Sequence, residues 1–118
     1  MPATALPAEQ SNRPLSSTKE GTAPVRVKKR LSVFWSGRVQ GVGFRYTAES
    51  VALELGVGGW VRNLPDGRVE ALAEGTEKEM RTFLERIAGG PMKNYIRQVE
   101  LHWAKATGEF DDFQVRFY

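Results

Sequence analysis

Gly37-Arg38-Val39-Gln40-Gly41-Val42-Gly43-Phe44-Arg45 constrains this chain more than any other stretch. It joins an apolar, strand-like run, Leu31 to Ser36, to a helix-like run, Tyr46 to Leu55. Three glycines at a strand-to-helix turn let consecutive backbone N–H groups converge with no side chain in the way. The following helix aims the positive end of its dipole at the same point. Arg45 adds a cation in the first turn, where a cation ordinarily costs about 0.3–1 kcal/mol against that dipole. An anion between the two relieves the conflict, and a phosphate has the right size and shape.

The hydrophobic pattern around this turn predicts the remaining elements. Leu31, Val33 and Trp35 alternate with Ser32, Phe34 and Ser36, which reads as a strand buried on both faces at Phe34. Phe44, Ala48, Val51 and Leu55 recur with helical spacing, and Gly56 ends the run. Gly59 to Asn63 reads as a second strand, Leu64-Pro65-Asp66-Gly67 as a turn, and Val69 to Glu74 as a third strand. Thr76-Glu77-Lys78-Glu79 is a capping box, and Met80, Phe83, Leu84 and Ile87 form the stripe of a second helix stopped by Gly89-Gly90-Pro91. Val99, Leu101 and Trp103 alternate in a fourth strand, and Phe113, Val115 and Phe117 mark a short last one. The order β-α-β-β-α-β plus a C-terminal strand predicts an α+β, ferredoxin-like sandwich. Two helices cover one face of a mainly antiparallel sheet.

Charge divides the chain. Residues 1–30 hold six basic and two acidic residues, a net of +4, whereas residues 31–118 hold 11 basic and 12 acidic, a net of −1. The excess positive charge therefore belongs to the N-terminal part, and a nucleic-acid reading of the whole chain loses most of its support; the basic tetrad Arg26, Lys28, Lys29 and Arg30 reads as a solvated junction rather than a contact patch. Residues 1–24 are rich in Pro, Ser, Thr and Ala without apolar periodicity, so 1–28 is expected to be a disordered tail and 29–118 the domain. There are no cysteines, which excludes disulfides and thiolate chemistry. One histidine and no cysteine argue against a zinc site, and no metal or cofactor is expected. No membrane-spanning run and no secretory pattern occurs, so a cytoplasmic monomer is expected.

Two segments carry candidate chemistry. The glycine loop is not a Walker A motif, since no Gly-Lys-Ser/Thr follows, nor a dinucleotide fingerprint, since Tyr46 stands where the third glycine would be. Asn63 closes the second strand just before a turn, an ordinary structural place for asparagine. Taken together, Gly37-x-Val39-Gln40-Gly41-Val42-x-Phe44-Arg45 and Gly59-Trp60-Val61-x-Asn63-x-x-Asp66-Gly67-x-Val69-Glu70 closely resemble the two signatures of the acylphosphatase family, in matching spacing. The resemblance covers residues 31–118. It implies hydrolysis of an acyl phosphate to a carboxylate and inorganic phosphate, without metal or cofactor. It puts the phosphate-binding arginine at Arg45, the water-positioning asparagine at Asn63, and the phosphate loop at Arg38, Val39, Gln40, Gly41, Val42, Gly43 and Phe44.

Other polar residues read as ordinary structure. His102 alternates outward, Asp111-Asp112 precedes the last strand, and Glu70 and Glu74 share what looks like a solvated strand edge. Trp60 reads as core packing beside the site, and Arg38 as an exposed cation that steers anions. A ferredoxin-like RNA-binding module needs stacking aromatics on the third strand. This one offers Glu70 and Glu74 instead.

Overall fold

A computed structural model describes residues 27–117. The alternating run at the start of the domain forms β1, Lys28–Gly37, and the others follow as α1, Phe44–Leu55; β2, Gly58–Asn63; β3, Val69–Thr76; α2, Glu77–Gly89; a 3₁₀ turn, Lys93–Tyr95; β4, Ile96–Lys105; and β5, Phe113–Arg116. The strands lie in one sheet in the order β4-β1-β3-β2-β5. Three pairings are antiparallel, and β2 with β5 is parallel. This is the expected ferredoxin-like α+β architecture. The tail assigned to residues 1–28 lies outside the described residues except for its last two, and Lys28 already belongs to β1, opposite Thr76.

Period-2 alternation turns Leu31, Val33 and Trp35 to the helix side, opposite Ala73, Ala71 and Val69 of β3. All six are buried. The small alanines of the central strand leave room for Phe44, Ala48, Val51 and Ala52 of α1 and for Met80, Phe83 and Ile87 of α2. Gly56 ends α1 in the left-handed conformation. The capping box starts α2, with the Glu79 N–H donating to Thr76 Oγ1 at 3.2 Å and the Thr76 N–H donating to Glu79 Oε1 at 2.9 Å.

The other face of the sheet corrects three expectations. Phe34 is only half-buried, because among the described residues no helix covers that face; Arg68 lies over its ring at 4.9 Å and His102 meets its edge at 6.0 Å. Trp60 is buried, but on this face and outside the core cluster under the helices. Arg62 and Arg116 each lie 4.9 Å from its ring, which buries an aromatic under guanidinium planes. Glu70 and Glu74 are not a solvated edge, since β3 is the middle strand. Glu70 accepts from Arg62 Nε at 2.8 Å.

Glu74 is 6 % exposed and anchors the long connection between β4 and β5. Its carboxylate accepts from Arg30 Nε at 2.8 Å and from the N–H groups of Thr107 at 2.8 Å and Gly108 at 3.0 Å. Arg30 also reaches Glu109 at 2.6 Å, and its guanidinium lies over Phe110. Burial pushes the Glu74 carboxyl up, but the Thr107, Arg30 and Gly108 donors outweigh it and hold the group below the ordinary glutamate value. A carboxyl held below its unfolded value stabilises the fold above that value. The contribution drains away as pH falls from about 4.5 through the lowered folded value. Glu74→Gln should therefore cost on the order of 2–3 kcal/mol at neutral pH. Denaturant titrations across the acid range should show the difference from wild type shrinking below pH 4.5; a difference independent of pH would mean that the charge is not what holds the connection.

Candidate active site

The glycine loop leaves the sheet at Gly37 and is pinned at both ends. The Val39 side chain is fully buried in the core, and Phe44 packs on Trp35 with ring centroids 4.9 Å apart. Between these anchors Gly41 and Gly43 have φ of +77° and +84°. A Cβ at either position would meet nothing within 4 Å. The requirement for glycine there is therefore the backbone angle itself and not crowding.

Gly43 is the N-cap of α1, with no side chain capping the helix and no acidic residue in its first turn. The first N–H groups of the helix, which as in any helix have no intrahelical acceptor, are therefore not satisfied by a capping side chain, and they carry the positive end of its dipole. The loop N–H groups from Val39 to Gly43 form no hydrogen bond to another described backbone group, whereas that of Arg38 donates to Tyr95 O at 2.9 Å.

Sheet register brings Asn63 to this loop. Val61 faces the helices opposite Ala71, so two residues on Asn63 does too, opposite Val69, which is in turn opposite Trp35. The side-chain amide of Asn63 makes no hydrogen bond among the described residues. It lines a cavity of about 80 Å³ together with Val39, Gly41, Gly43, Phe44, Arg45 and Tyr46. That space is well above the roughly 10–15 Å³ one water requires, and it admits a tetrahedral oxyanion.

Arg45 enters the cavity already oriented. Its Nη1 donates to Arg116 O at 3.2 Å, and its guanidinium lies 4.8 Å from the Phe117 ring. Arg38, Gln40 and Val42, three of the residues assigned to the phosphate loop, do not line the cavity. Arg38 is exposed, and Val42 rests against the core. Gln40 Nε2 donates to Leu64 O at 2.7 Å and to Arg68 O at 2.9 Å, bridging the loop to the β2–β3 turn just beyond Asn63. Tyr46 was missed as a lining residue because its place in the helical run carries no signal. Among the described residues no group of three or more His, Asp or Glu side chains is placed to hold a metal ion.

Residues 31–115 match the acylphosphatase family model. The chain belongs to the acylphosphatase family. An acylphosphatase of Rubrobacter xylanophilus is 45% identical over 102 residues, covering 86% of this chain and 93% of that protein. One of Roseiflexus sp. is 46% identical over 86 residues, covering 73% and 92%. The crystal structure of the Bacillus subtilis acylphosphatase superposes with a TM-score of 0.70 at 33% identity, covering 75% of this chain and 98% of that one. The region matched by the family model begins and ends inside the sheet, in β1 and β5.

The tether through Gln40 can be tested without reference to turnover. Gln40→Glu should be worse than Gln40→Ala, because a carboxylate offers two carbonyl oxygens no donor and adds their repulsion. We expect losses of about 1 kcal/mol for alanine and about 2–3 kcal/mol for glutamate, measured by chemical denaturation. Inorganic phosphate should bind more weakly to both. Equal stability of the two variants would show that the bridge carries no load.

Proposed function

We propose that this acylphosphatase-family enzyme hydrolyses the carboxyl–phosphate bond of acyl phosphates, with water as the nucleophile and no metal. The observation that carries the reading is one cavity bounded by an uncapped helix start, an oriented guanidinium and an unengaged amide. The helix start and Arg45 suit a phosphoryl group, whose charge they hold in the ground state and more tightly in the transition state. The Asn63 amide suits a water, since it both donates and accepts.

The chemistry asks for little more. The water oxygen bonds to phosphorus while the bond from phosphorus to the acyl oxygen breaks, releasing a carboxylate. The conjugate acid of that leaving group has a pKa of about 4–5, so it departs without a proton donor. An amide is a poor base, and the water's proton passes to a phosphoryl oxygen, giving dihydrogen phosphate. The enzyme's contribution is alignment and charge stabilisation. Arg38, exposed beside the loop, draws the dianionic substrate toward the cavity. Action as a cytoplasmic monomer is part of the same proposal and rests on the sequence. No helix among the described residues is long and apolar enough to cross a membrane.

Hydrolysis of an aryl acyl phosphate should persist in excess chelator, and inorganic phosphate should compete with substrate. Loss of activity in chelator, restored by a divalent ion, would sink the metal-free mechanism.

Two variants separate the roles. Arg45→Ala should weaken phosphate binding and turnover together, because the cation acts in both states. Asn63→Ala should lower kcat by at least about 10²-fold while leaving phosphate affinity near wild type. Calorimetric phosphate titration beside steady-state kinetics reads the split. A folded Asn63 variant that no longer bound phosphate would make Asn63 an anion ligand or a support for the loop.

A further inference from the structure

The residues that orient Arg45 lie outside both sequence signatures. Strand β5 runs parallel to β2, with Val115 opposite Val61 and Arg116 opposite Arg62. The next residue of β2 is Asn63, and the next residue along the chain from β5 is Phe117. The parallel pairing therefore delivers Arg116 and Phe117 to the end of the sheet where Asn63 and the glycine loop meet. Phe113 and Val115 alternate toward the helices and pack in or against the core, but Phe117 remains 70% exposed. A large ring left that open contributes little to the core. Among the described residues its ring meets the Arg45 guanidinium, at 4.8 Å.

We propose that Phe117 is a positioning residue for Arg45. Its ring covers one face of the guanidinium while the Arg116 carbonyl takes one N–H, leaving the remaining donors aimed at the anion.

The physical need is specific to this site. Arg45 occupies the first turn of α1, where the helix dipole repels a cation. Among the described residues it has no carboxylate partner to hold it. An arginine free to swing into solvent loses rotamer entropy each time it binds, and that loss subtracts from affinity. A carbonyl and an aromatic face restrain the side chain without neutralising its charge, which a carboxylate would do. The planar guanidinium suits both contacts, because stacking leaves its in-plane N–H fork available. The inference rests on the proposal that the cavity binds a phosphoryl group, and it assigns that binding a second requirement, pre-orientation.

Three substitutions in the full chain test it, read by phosphate calorimetry, steady-state kinetics on an aryl acyl phosphate, and the Arg45 Nε–H resonance. Phe117→Ala should weaken phosphate binding by about two- to five-fold and lower kcat/KM by roughly ten-fold through misalignment. It should also broaden the Arg45 resonance, with the melting temperature nearly unchanged. Phe117→Trp should stay within about two-fold of wild type, since it keeps an aromatic face. Phe117→Leu keeps apolar bulk without that face and should behave like the alanine variant. Rescue by leucine equal to that by tryptophan would overturn the stacking claim. So would an alanine variant with unchanged phosphate affinity and an unchanged Arg45 resonance. Should wild type bind phosphate yet fail to hydrolyse the acyl phosphate, the functional reading falls. The binding and resonance data would still decide the role of Phe117.

Discussion

The register of β2 against β3 is the constraint on which the site depends. Val61 must face the helices because it is fully buried there, and the two-residue repeat then commits Asn63 to the same side. A slip of one residue would expose Val61 and turn the amide to the open face, away from the loop. The hydrophobic effect on one valine thus specifies the direction of a polar group two residues away. The same repeat on β5 sends Val115 toward the core and carries the chain on to Arg45. Core packing and site geometry are a single requirement here, expressed along neighbouring strands.

Electrostatics around the cavity run against local stability. A helix usually begins with a capping side chain and acidic residues, as α2 does with Thr76, Glu77 and Glu79. Helix α1 begins with a bare glycine and an arginine. Both choices destabilise the isolated helix, and both leave positive potential unspent at the same point. The contrast between the two helices within one small domain marks the start of α1 as the candidate anion site without reference to any relative. It also explains why the loop is fastened by Val39, Phe44 and Gln40. A segment with left-handed glycines and unpaired N–H groups needs external contacts to hold one shape.

Much of this was legible in the sequence, and the exceptions share a cause. The strands, helices, capping box and glycine loop follow from periodicities and turn chemistry within a few residues of one another. Arg45 stood out because the loop is a local pattern, whereas Asn63, ordinary by itself before a turn, stood out only through the resemblance of the two segments together to the family's signatures. Gln40 read as part of the anion loop, yet its partners are carbonyls 24 and 28 positions away. Glu74 read as surface because alternation alone does not reveal that a distant connection, Thr107 to Gly108, folds over it. Trp60 read as core because its size suggests burial, and burial by arginines leaves no periodic trace. Phe117 read as the end of a strand. Apart from Arg62 beside Trp60, the deciding contacts join residues far apart in the chain, which local pattern does not encode.

The parallel placement of β5 has a consequence for the order in which the molecule is made. Residues 28–105, carrying β1 to β4 and both helices, leave the ribosome before residues 113–117. Four strands and the glycine loop are available to pair while β5 is still being synthesised. The carbonyl that receives Arg45 arrives with the last strand, so the loop exists before its arginine is restrained. Completion of the candidate site is thereby a late event in synthesis. A nascent chain that stops short of β5 has most of its core and an unrestrained Arg45.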